Sequence, residues 1–408
     1  MKLWTAATVS LMGSQVSQFA IPYIAAVILV ASPFEVGLLG AFELLPFILF
    51  ALPAGAWLDR VRRRPVLIGG DFGRALALVT IPVAYAFGVL TIWQLYAVGF
   101  VTGLLTVLFD VADQSYLPAL IDRDDLVDGN GKLSISGGAA QVLGPGFAGN
   151  LIHIVAAPFT IFVDAVSFLA SGLLISLIRK PAPKPERQRD AAGNHTSMRL
   201  EISEGLHYVL GNRYLRMIAG ATATSNLGSS IAFATFAIFE FRELGLDAGL
   251  VGTAQSLGAI GVLVGAVIAT PLAKRIGVGA SIILSMLLTG PSILLLALLP
   301  SNALGAGAIL FASMFLGGVT AIVYNVNQVS FRQAITPDAI QGRMNATMRF
   351  IVWGTLPLGA VIGGTLGTFL PLRTTVLIGG LVACTAFLWV LASPVRSLRE
   401  IPKNEPSN

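Results

Sequence analysis

Charged side chains are scarce in this chain of 408 residues. Asp, Glu, Lys and Arg together make up 12% of it, whereas 55% of its residues are apolar. A soluble domain carries about twice that charged fraction because its surface must be solvated. Segments that face lipid need no charge across the ~30 Å hydrocarbon layer of a bilayer. The composition therefore predicts a membrane protein.

Cysteine and histidine are also rare. Cys384 is the single cysteine, which excludes disulfides within the chain and metal clusters of thiolates. The three histidines, His153, His195 and His207, show no metal-ligand spacing. The sequence has no H-E-x-x-H zinc motif, no nucleophile elbow and no P-loop. We therefore expect no metal, no cofactor, no catalytic residue and no ATP-driven cycle.

Long apolar segments recur from one end of the chain to the other, separated by short turns that hold Pro, Gly or charge. They predict an all-α membrane protein with about twelve transmembrane helices, at residues 6–30, 35–58, 66–89, 91–113, 134–156, 158–178, 215–239, 249–272, 278–299, 303–325, 342–369 and 371–392. The first segment is too long for a signal peptide and has no small-residue cleavage site after it. We expect it to remain as the first span.

The net charge of +5 is explained by topology. Almost all Lys and Arg residues fall on one side of the predicted membrane, and only Arg242 and Arg373 fall on the other. The positive-inside rule places the basic side in the cytoplasm. We therefore predict a multi-pass protein of the inner membrane with both termini cytoplasmic, and no nucleic-acid partner.

The longest hydrophilic stretch divides the chain into two halves. We predict a six-helix bundle at 1–178, a cytoplasmic linker at 179–214, a second six-helix bundle at 215–393 and a cytoplasmic tail at 394–408. The halves resemble each other: Val36-Gly37 recurs as Val251-Gly252, and Tyr116 as Phe331, at one offset of 215. A common offset indicates duplication, and parallel six-span repeats are one known transporter design.

A charged turn follows the second predicted span, with the sequence Gly-Ala-Trp-Leu-Asp-Arg-Val-Arg-Arg-Arg-Pro at 55–65. Its carboxylate suits the amino terminus of a helix, and its arginines suit carboxylates or anionic headgroups. Two interpretations stay open: charge that only sets topology, or a latch that closes the cytoplasmic side. The candidate residues are Gly55, Asp59, Arg60, Arg63 and Arg64, with Asp71, Arg74, Asp110 and Asp113 as an adjoining ion-pair network.

Two carboxylates lie deep in predicted spans. Glu43 falls in the second and Asp164 in the sixth. An ionisable group at this depth costs several kcal/mol unless it is paired or hydrated, so both are candidates for binding and releasing a proton. The alternative is a structural hydrogen bond to Ser14, Gln15 or Gln18 of the first span.

These motifs carry a family resemblance over essentially the whole chain. The charged turn resembles the G-x-x-x-D-R-x-x-R-R loop signature of the major facilitator superfamily. Gly144-Pro145-Gly146-Phe-Ala-Gly149 resembles the Gly-Pro motif of its antiporter branch, although the final position departs from it. Phe109-Asp110, Leu117-Pro118, Asp125-Leu126, Asn130 and residues 164–168 resemble an exporter group that includes macrolide efflux proteins and the enterobactin exporter.

The resemblance implies secondary active transport by alternating access: proton antiport that exports an amphipathic drug, macrolide or siderophore. The expected partners are the small-molecule substrate, protons and membrane lipids, with the chain acting as a monomer. Substrate-cavity candidates by analogy are Gln15, Tyr23, Asn226, Phe233, Phe236, Tyr324 and Asn325, with Arg349 attracting an anionic substrate or pairing with an acid. An uncoupled facilitator, an importer and a transporter-like sensor remain as alternatives, since the basic residue of the fourth span found in several related antiporters is absent from 91–109.

Overall fold

The computed structural model describes residues 2–58, 61–120, 126–178 and 198–400. Within these ranges all regular secondary structure is helical. The first half of the chain forms α1 (Lys2–Tyr23), which continues as a π turn (Ile24–Ile28), α2 (Pro33–Leu58), α3 (Arg63–Ala86), α4 (Ile92–Leu120), α5 (Leu126–Ile154) and α6 (Ala157–Ser176).

The second half repeats this plan with more interruptions. It forms α7 (Met198–Gly211), α8 (Arg213–Phe233), a π turn (Ile238–Glu243), α9 (Ala248–Gly258), α10 (Ile260–Ile276), α11 (Val278–Leu296), α12 (Ala303–Ala334), α13 (Asp338–Phe369), α14 (Leu372–Cys384), α15 (Ala386–Leu391) and a 3₁₀ turn (Pro394–Ser397).

Ten helical segments of the described chain are long and apolar enough to cross a membrane, with α9 and α10 forming one segment and α14 and α15 another. The predicted spans 134–156 and 215–239 are helical too, in α5 and α8, but they are richer in Gly, Ser, Thr and Asn. The all-α membrane fold is thus confirmed. Several helices run beyond the predicted spans, and α12 continues to Ala334 through a stretch predicted as loop.

Contacts divide the chain into two compact units. The first comprises the described residues of Met1–Arg187, Thr235–Leu257 and Pro300–Gly307, and the second those of Gln188–Ala234, Gly258–Leu299 and Ala308–Asn408. In the first unit α1 packs on α5 and α6, and α3 and α2 pack on α4. In the second unit α8 packs on α13, α14 and α15, and α11 packs on α14. The predicted division at 179–214 stays a prediction.

The two buried cores repeat each other at the offset of 215. The apolar cluster of the first unit contains Leu3, Ala6, Leu58, Leu67, Ala112, Tyr116 and Ile175. Six of these seven positions have their partner in the cluster of the second unit, namely Ile218, Ala221, Ala273, Ile282, Phe331 and Val390. Matched burial at a constant spacing supports the duplication that the sequence predicted.

The ends of two helices repeat in the same way. The Leu29 N–H donates to the carbonyl oxygen of Ile24 at 2.9 Å, and the Leu244 N–H donates to that of Phe239 at 3.0 Å. The next hydrogen bond also repeats: the Ala31 N–H donates to the carbonyl oxygen of Ala25 at 2.9 Å, and the Leu246 N–H donates to that of Glu240 at 2.9 Å. Every one of these positions is displaced by 215. The two π turns also pack on each other within the first unit.

Candidate functional site

The second unit contains a half-open cavity of about 590 Å³ between α8, α11, α12 and α13. Polar residues spaced three or four apart along α8 form one wall, so they share a helix face. The lining residues are Thr222, Ser225, Asn226, Ser229, Met286, Thr289, Ala321, Ile322, Tyr324, Asn325, Gln328, Val329, Arg332, Asn345, Met348, Arg349, Val352 and Trp353. Four predicted cavity residues, Asn226, Tyr324, Asn325 and Arg349, lie in this set.

Hydrogen bonds fix the uncharged polar groups of this cavity. The hydroxyl groups of Thr222 and Tyr324 lie 2.5 Å apart. The amide of Asn226 donates to the carbonyl oxygen of Val352 at 3.0 Å, and the amide of Gln328 donates to Asn325 Oδ1 at 3.0 Å. Apolar side chains of α11 and α13 complete the walls. This mixture suits a ligand with one apolar face and several polar groups.

The other predicted cavity residues do not line this cavity. Gln15 donates from its amide to Gln18 Oε1 at 3.3 Å. The ring of Tyr23 contacts Phe241 edge to face, with centroids 4.8 Å apart. Phe236 is buried beside Phe239, and Phe233 is exposed. A substrate role for these four residues stays a prediction.

Asp71 and Arg74 form a fully buried ion pair in α3, with Nη2 and Oδ1 2.5 Å apart. The guanidinium lies between the rings of Phe109 and Phe168, at 4.4 and 4.1 Å from their centroids. It also interacts electrostatically with Asp110 and Asp164. Of the four residues predicted as an ion-pair network, Asp71 and Arg74 thus form an ion pair inside the bundle of α3, α4 and α6. The wider network stays a prediction.

The basic turn itself is only partly described. Asp59 and Arg60 lie outside the described residues, and Gly55 lies in α2. The Nη2 group of Arg64 donates to the carbonyl oxygen of Ser176, and its Nε donates to that of Ile175 at 3.4 Å. These bonds anchor the start of α3 to the end of α6. The latch interpretation stays a prediction.

Asp164 is buried and accepts two hydrogen bonds. The hydroxyl of Ser17 donates to Oδ2 at 2.5 Å, and that of Ser167 donates to Oδ1 at 3.1 Å. Glycine at position 13 lets α1 approach α6 this closely, because a Cβ there would lie 2.7 Å from Asp164 Oδ1. The alternative to a proton role for Asp164 is a structural hydrogen bond to the first span. Such a bond is present, with Ser17 as the donor.

Glu43 differs from Asp164 in having no polar partner for its carboxylate among the described residues. Its helix α2 packs on α4, where a Cβ at Gly99 would lie 2.9 Å from Glu43 Cγ, and one at Gly103 would lie 2.4 Å from the Glu43 carbonyl oxygen. The two glycines thus make room for the glutamate. Its carboxylate forms no hydrogen bond or ion pair with any residue of the described ranges.

The Gly-Pro motif lies where α5 meets two other helices of the first unit. A Cβ at Gly144 would lie 2.3 Å from Gln15 Cβ of α1, and one at Gly149 would lie 2.2 Å from the Ala248 carbonyl oxygen at the start of α9. Pro145 is part of the same contact, since a Cβ at Gly252 would lie 2.2 Å from its carbonyl oxygen. The motif therefore serves close helix packing.

An ion pair that the sequence did not predict lies at the end of this contact. His153 Nε2 is 2.8 Å from Asp247 Oδ1, which also accepts the Leu250 N–H at 3.0 Å. Partial burial acts to raise the pKa of Asp247, but hydrogen bonds from Leu250, His153 and Gly249 and the charge interaction with His153 more than offset it, so the pKa lies below its usual value. Residues far apart in sequence gave no local signal for this pair.

Two further ionisable groups, one buried and one partly buried, are not predicted by the sequence. Glu240 was assigned to an outer loop, yet it is 4% exposed and its Oε2 has no hydrogen-bond partner in the described chain. Arg332 was assigned to a cytoplasmic loop, yet it lines the cavity because α12 continues through it. The repeat offset of 215 could have revealed Glu240, because its equivalent in the first repeat is the apolar Ala25, which lies within a predicted span.

The long apolar helices, the repeated cores and the half-open cavity define a multi-pass membrane transporter. A family model described as transmembrane secretion effector matches residues 1–408, so the chain belongs to this family of the major facilitator superfamily. The multidrug efflux pump Tap of Mycolicibacterium fortuitum is 29% identical over 83% of this chain and 84% of the relative. Macrolide efflux protein A of Streptococcus pyogenes is 21% identical over 97% of this chain and 96% of the relative.

Solved structures agree on the fold. The nucleoside transporter NupG superimposes with a TM-score of 0.72 at 14% identity, over 96% of this chain and 98% of that one. A bacterial homologue of the iron transporter ferroportin superimposes with a TM-score of 0.71 at 18% identity, over 95% and 98%. Family and fold are those of transporters and not of enzymes, and the curated relatives named above are efflux pumps.

Proposed function

We propose that this chain exports an amphipathic small molecule across the cytoplasmic membrane by alternating access, in exchange for protons. The observation that carries the proposal is the cavity of about 590 Å³, which combines apolar walls with fixed amide and hydroxyl groups. Its volume falls in the range of pockets that hold drug-sized ligands, about 300–1,000 Å³. The names of the relatives, a multidrug efflux pump and a macrolide efflux protein, favour export over import.

Glu43 is the proton carrier in this proposal. A carboxylate without a polar partner in a membrane span is costly when ionised, so it favours protonation when closed off and ionisation when water reaches it. Asp164 is the second candidate, since its two hydroxyl donors and its interaction with Arg74 already stabilise the charged form.

The basic turn closes the cytoplasmic side in this proposal, with both termini in the cytoplasm and the monomer as the working unit. Arg64 of this turn is held against the end of α6 by its bonds to the carbonyl oxygens of Ile175 and Ser176. Asp59, which is expected to pair across the closed side, is the residue to test there.

Reconstituted proteoliposomes test the proposal directly. An imposed pH gradient should drive accumulation of a radiolabelled macrolide or tetracycline by the wild type. Glu43→Gln, which mimics the protonated carboxyl, should abolish this accumulation and retain exchange of labelled for unlabelled compound at equal concentrations. Glu35→Gln is the matched control, because Glu35 lies on the same helix and its carboxylate accepts hydrogen bonds only from Ser32 among the described residues.

Each rival function predicts a different result. Movement of the compound down its own gradient, unchanged by pH, would identify an uncoupled facilitator. Binding without any movement would identify a sensor. Full gradient-driven accumulation by Glu43→Gln would transfer the proton role to another carboxylate.

A further inference from the structure

Two guanidinium groups, those of Arg332 and Arg349, line the cavity in the second unit. Arg332 bonds to Asn345, which lies one turn before Arg349 on the same face of α13, so the two groups are neighbours. Arg332 lies near the end of α12, and Arg349 lies three turns into α13. Neither forms an ion pair with a carboxylate in the described part of the chain. The lining residues given for the cavity include no Asp and no Glu. This part of the cavity therefore has a positive charge that no carboxylate of the described residues neutralises.

The hydrogen-bond partner of Arg332 in the described chain is neutral. Its Nη2 donates to Asn345 Oδ1 at 3.3 Å, and its Nε is buried without an acceptor in the described ranges. A partly buried charge with a single amide as its partner is costly, because a charge removed from water needs a counter-charge or a full set of hydrogen bonds. Such a site is completed at least cost by an anion, which a planar guanidinium binds through two parallel hydrogen bonds.

Arg349 completes the arrangement with an aromatic partner. Its guanidinium carbon lies 4.7 Å from the centroid of the Trp353 ring, which also lines the cavity. Stacking on an aromatic ring holds a guanidinium in place while leaving its N–H groups in the ring plane available to an acceptor. The Trp353 ring and the side chains of Met286 and Met348 supply apolar surface next to the charge.

We propose that this cavity binds an amphipathic anion, with the carboxylate or other oxyanion of the transported compound held by Arg332 and Arg349. The inference rests on the proposed export function and deepens it by naming the charge of the substrate. An apolar body lies against the Trp353 side of the cavity, while the amide groups of Asn325, Gln328 and Asn345 surround the charged end.

A pair of probes that differ only in charge tests the inference. Dansyl-phenylalanine carries a carboxylate, and its methyl ester does not, so the change in dansyl fluorescence reports binding of each to the purified protein in phosphatidylcholine nanodiscs. We expect the acid to bind at least about tenfold more tightly than the ester, since charge-assisted hydrogen bonds are about twice as strong as neutral ones. Equal affinities would overturn the inference.

Three variants assign the effect to the two arginines. Arg349→Gln and Arg332→Gln should each weaken binding of the acid about tenfold and leave that of the ester unchanged. Arg343→Gln removes the same charge from α13, but Arg343 pairs with Glu204 and does not line the cavity, so it should change neither affinity. An equal loss in all three variants would show that net charge, and not this site, attracts the acid.

Two further measurements separate the alternatives. If phosphatidylglycerol in the nanodiscs displaces the acid and copurifies with wild type but not with Arg349→Gln, the anion is a lipid headgroup and the substrate assignment fails. In proteoliposomes, transport of the acid but not of the ester supports the inference. Transport of both at equal rates would leave the export function intact and overturn the anion site, whereas transport of no compound would remove the export function while the binding result still stands.

Discussion

Val30 and Gly245 occupy one position in two copies of the same helix end. Both residues have left-handed backbone, with φ angles of 51° and 63°. Each follows a π turn and is flanked by equivalent backbone hydrogen bonds at an offset of 215. Glycine adopts this conformation without steric cost, whereas a β-branched residue does not. The duplicated helix end is therefore strained in the first copy only.

Replacing Val30 by glycine should stabilise the protein. Left-handed backbone destabilises a folded protein by about 1–3 kcal/mol when the residue has a branched side chain. Glycine avoids this strain, but its greater flexibility in the unfolded chain offsets about 0.5–1 kcal/mol of the gain. Val30 is 63% exposed, so little packing is lost. We expect Val30→Gly to raise the free energy of unfolding by about 1 kcal/mol, as measured by thermal unfolding of the detergent-solubilised protein. Gly245→Val should lose at least as much, and a stabilised Gly245→Val would contradict the strain argument.

Glu240 should respond to removal of its charge. The equivalent residue of the first repeat is Ala25, and both carbonyl groups accept the same type of backbone hydrogen bond, so this helix end does not need a carboxylate. A buried group without a partner costs more when it is charged than when it is neutral, so an amide at this position should cost less than a carboxylate. We expect Glu240→Gln to raise the melting temperature. Glu243→Gln on the same turn is exposed and should not change it. A lower melting temperature for Glu240→Gln would show that the carboxylate is stabilised in the folded protein.

The Asp71–Arg74 pair should be far more sensitive to losing one partner than to losing both. Arg74→Met keeps the side chain between the two phenylalanine rings but leaves Asp71 buried and unpaired, which costs about 3–5 kcal/mol. Adding Asp71→Asn should restore more than half of the lost stability, as measured by melting of the purified variants. Asp128→Asn breaks an exposed pair with Lys132 and should cost less than about 1 kcal/mol. Equal melting of the single and double variants would argue against direct coupling.

Hydropathy and charge sufficed to predict the helical membrane fold, because span length and loop charge are set by the bilayer itself. The partners of each span could not be predicted in this way. Lipid-facing and core-facing sides of a membrane helix are both apolar, so periodicity does not distinguish them. Ser17, and not Ser14, therefore meets Asp164, and Asn226 but not Phe233 lines the cavity. Arg332 was missed because charge near a span end indicates a loop, although α12 continues past it.

Because of Asp247, the stability of the folded protein should depend on pH in the acid range. Its pKa is lower in the folded protein than in the unfolded chain, so its contribution is complete above the ordinary aspartate value of about 3.9 and is lost as pH falls through the depressed folded value. Both side chains of the pair with His153 are about half exposed, so the contribution is at most about 1 kcal/mol. Asp247→Asn keeps the capping oxygen for α9 and removes the charge. The difference in melting temperature between wild type and Asp247→Asn should be present at pH values above about 4 and should shrink as pH falls further; a difference that stays constant in acid would exclude the charge as its cause.

Gly149 should tolerate no larger residue where α5 meets α9. A Cβ added at this position would lie 2.2 Å from the backbone carbonyl oxygen of Ala248. Backbone cannot move aside as a side-chain tip can, so Gly149→Ala must push the two helices apart, at a typical cost of about 1–3 kcal/mol. Gly137→Ala is the control on the same helix, since no atom lies within 4 Å of a Cβ there.

The separation of α5 and α9 can be read by crosslinking. The amide nitrogen of Asn150 and the hydroxyl of Thr253 lie 3.3 Å apart, one on each helix. Cysteines at these two positions, with the native Cys384 replaced by serine, should form a disulfide under mild oxidation. Gly149→Ala should reduce its yield severalfold, because disulfide formation requires Cα atoms within about 7 Å. Gly137→Ala should leave the yield unchanged, and since alanine is the better helix former it should also preserve the helix. Equal yields in the two alanine variants would mean that α5 and α9 do not depend on Gly149 for their approach.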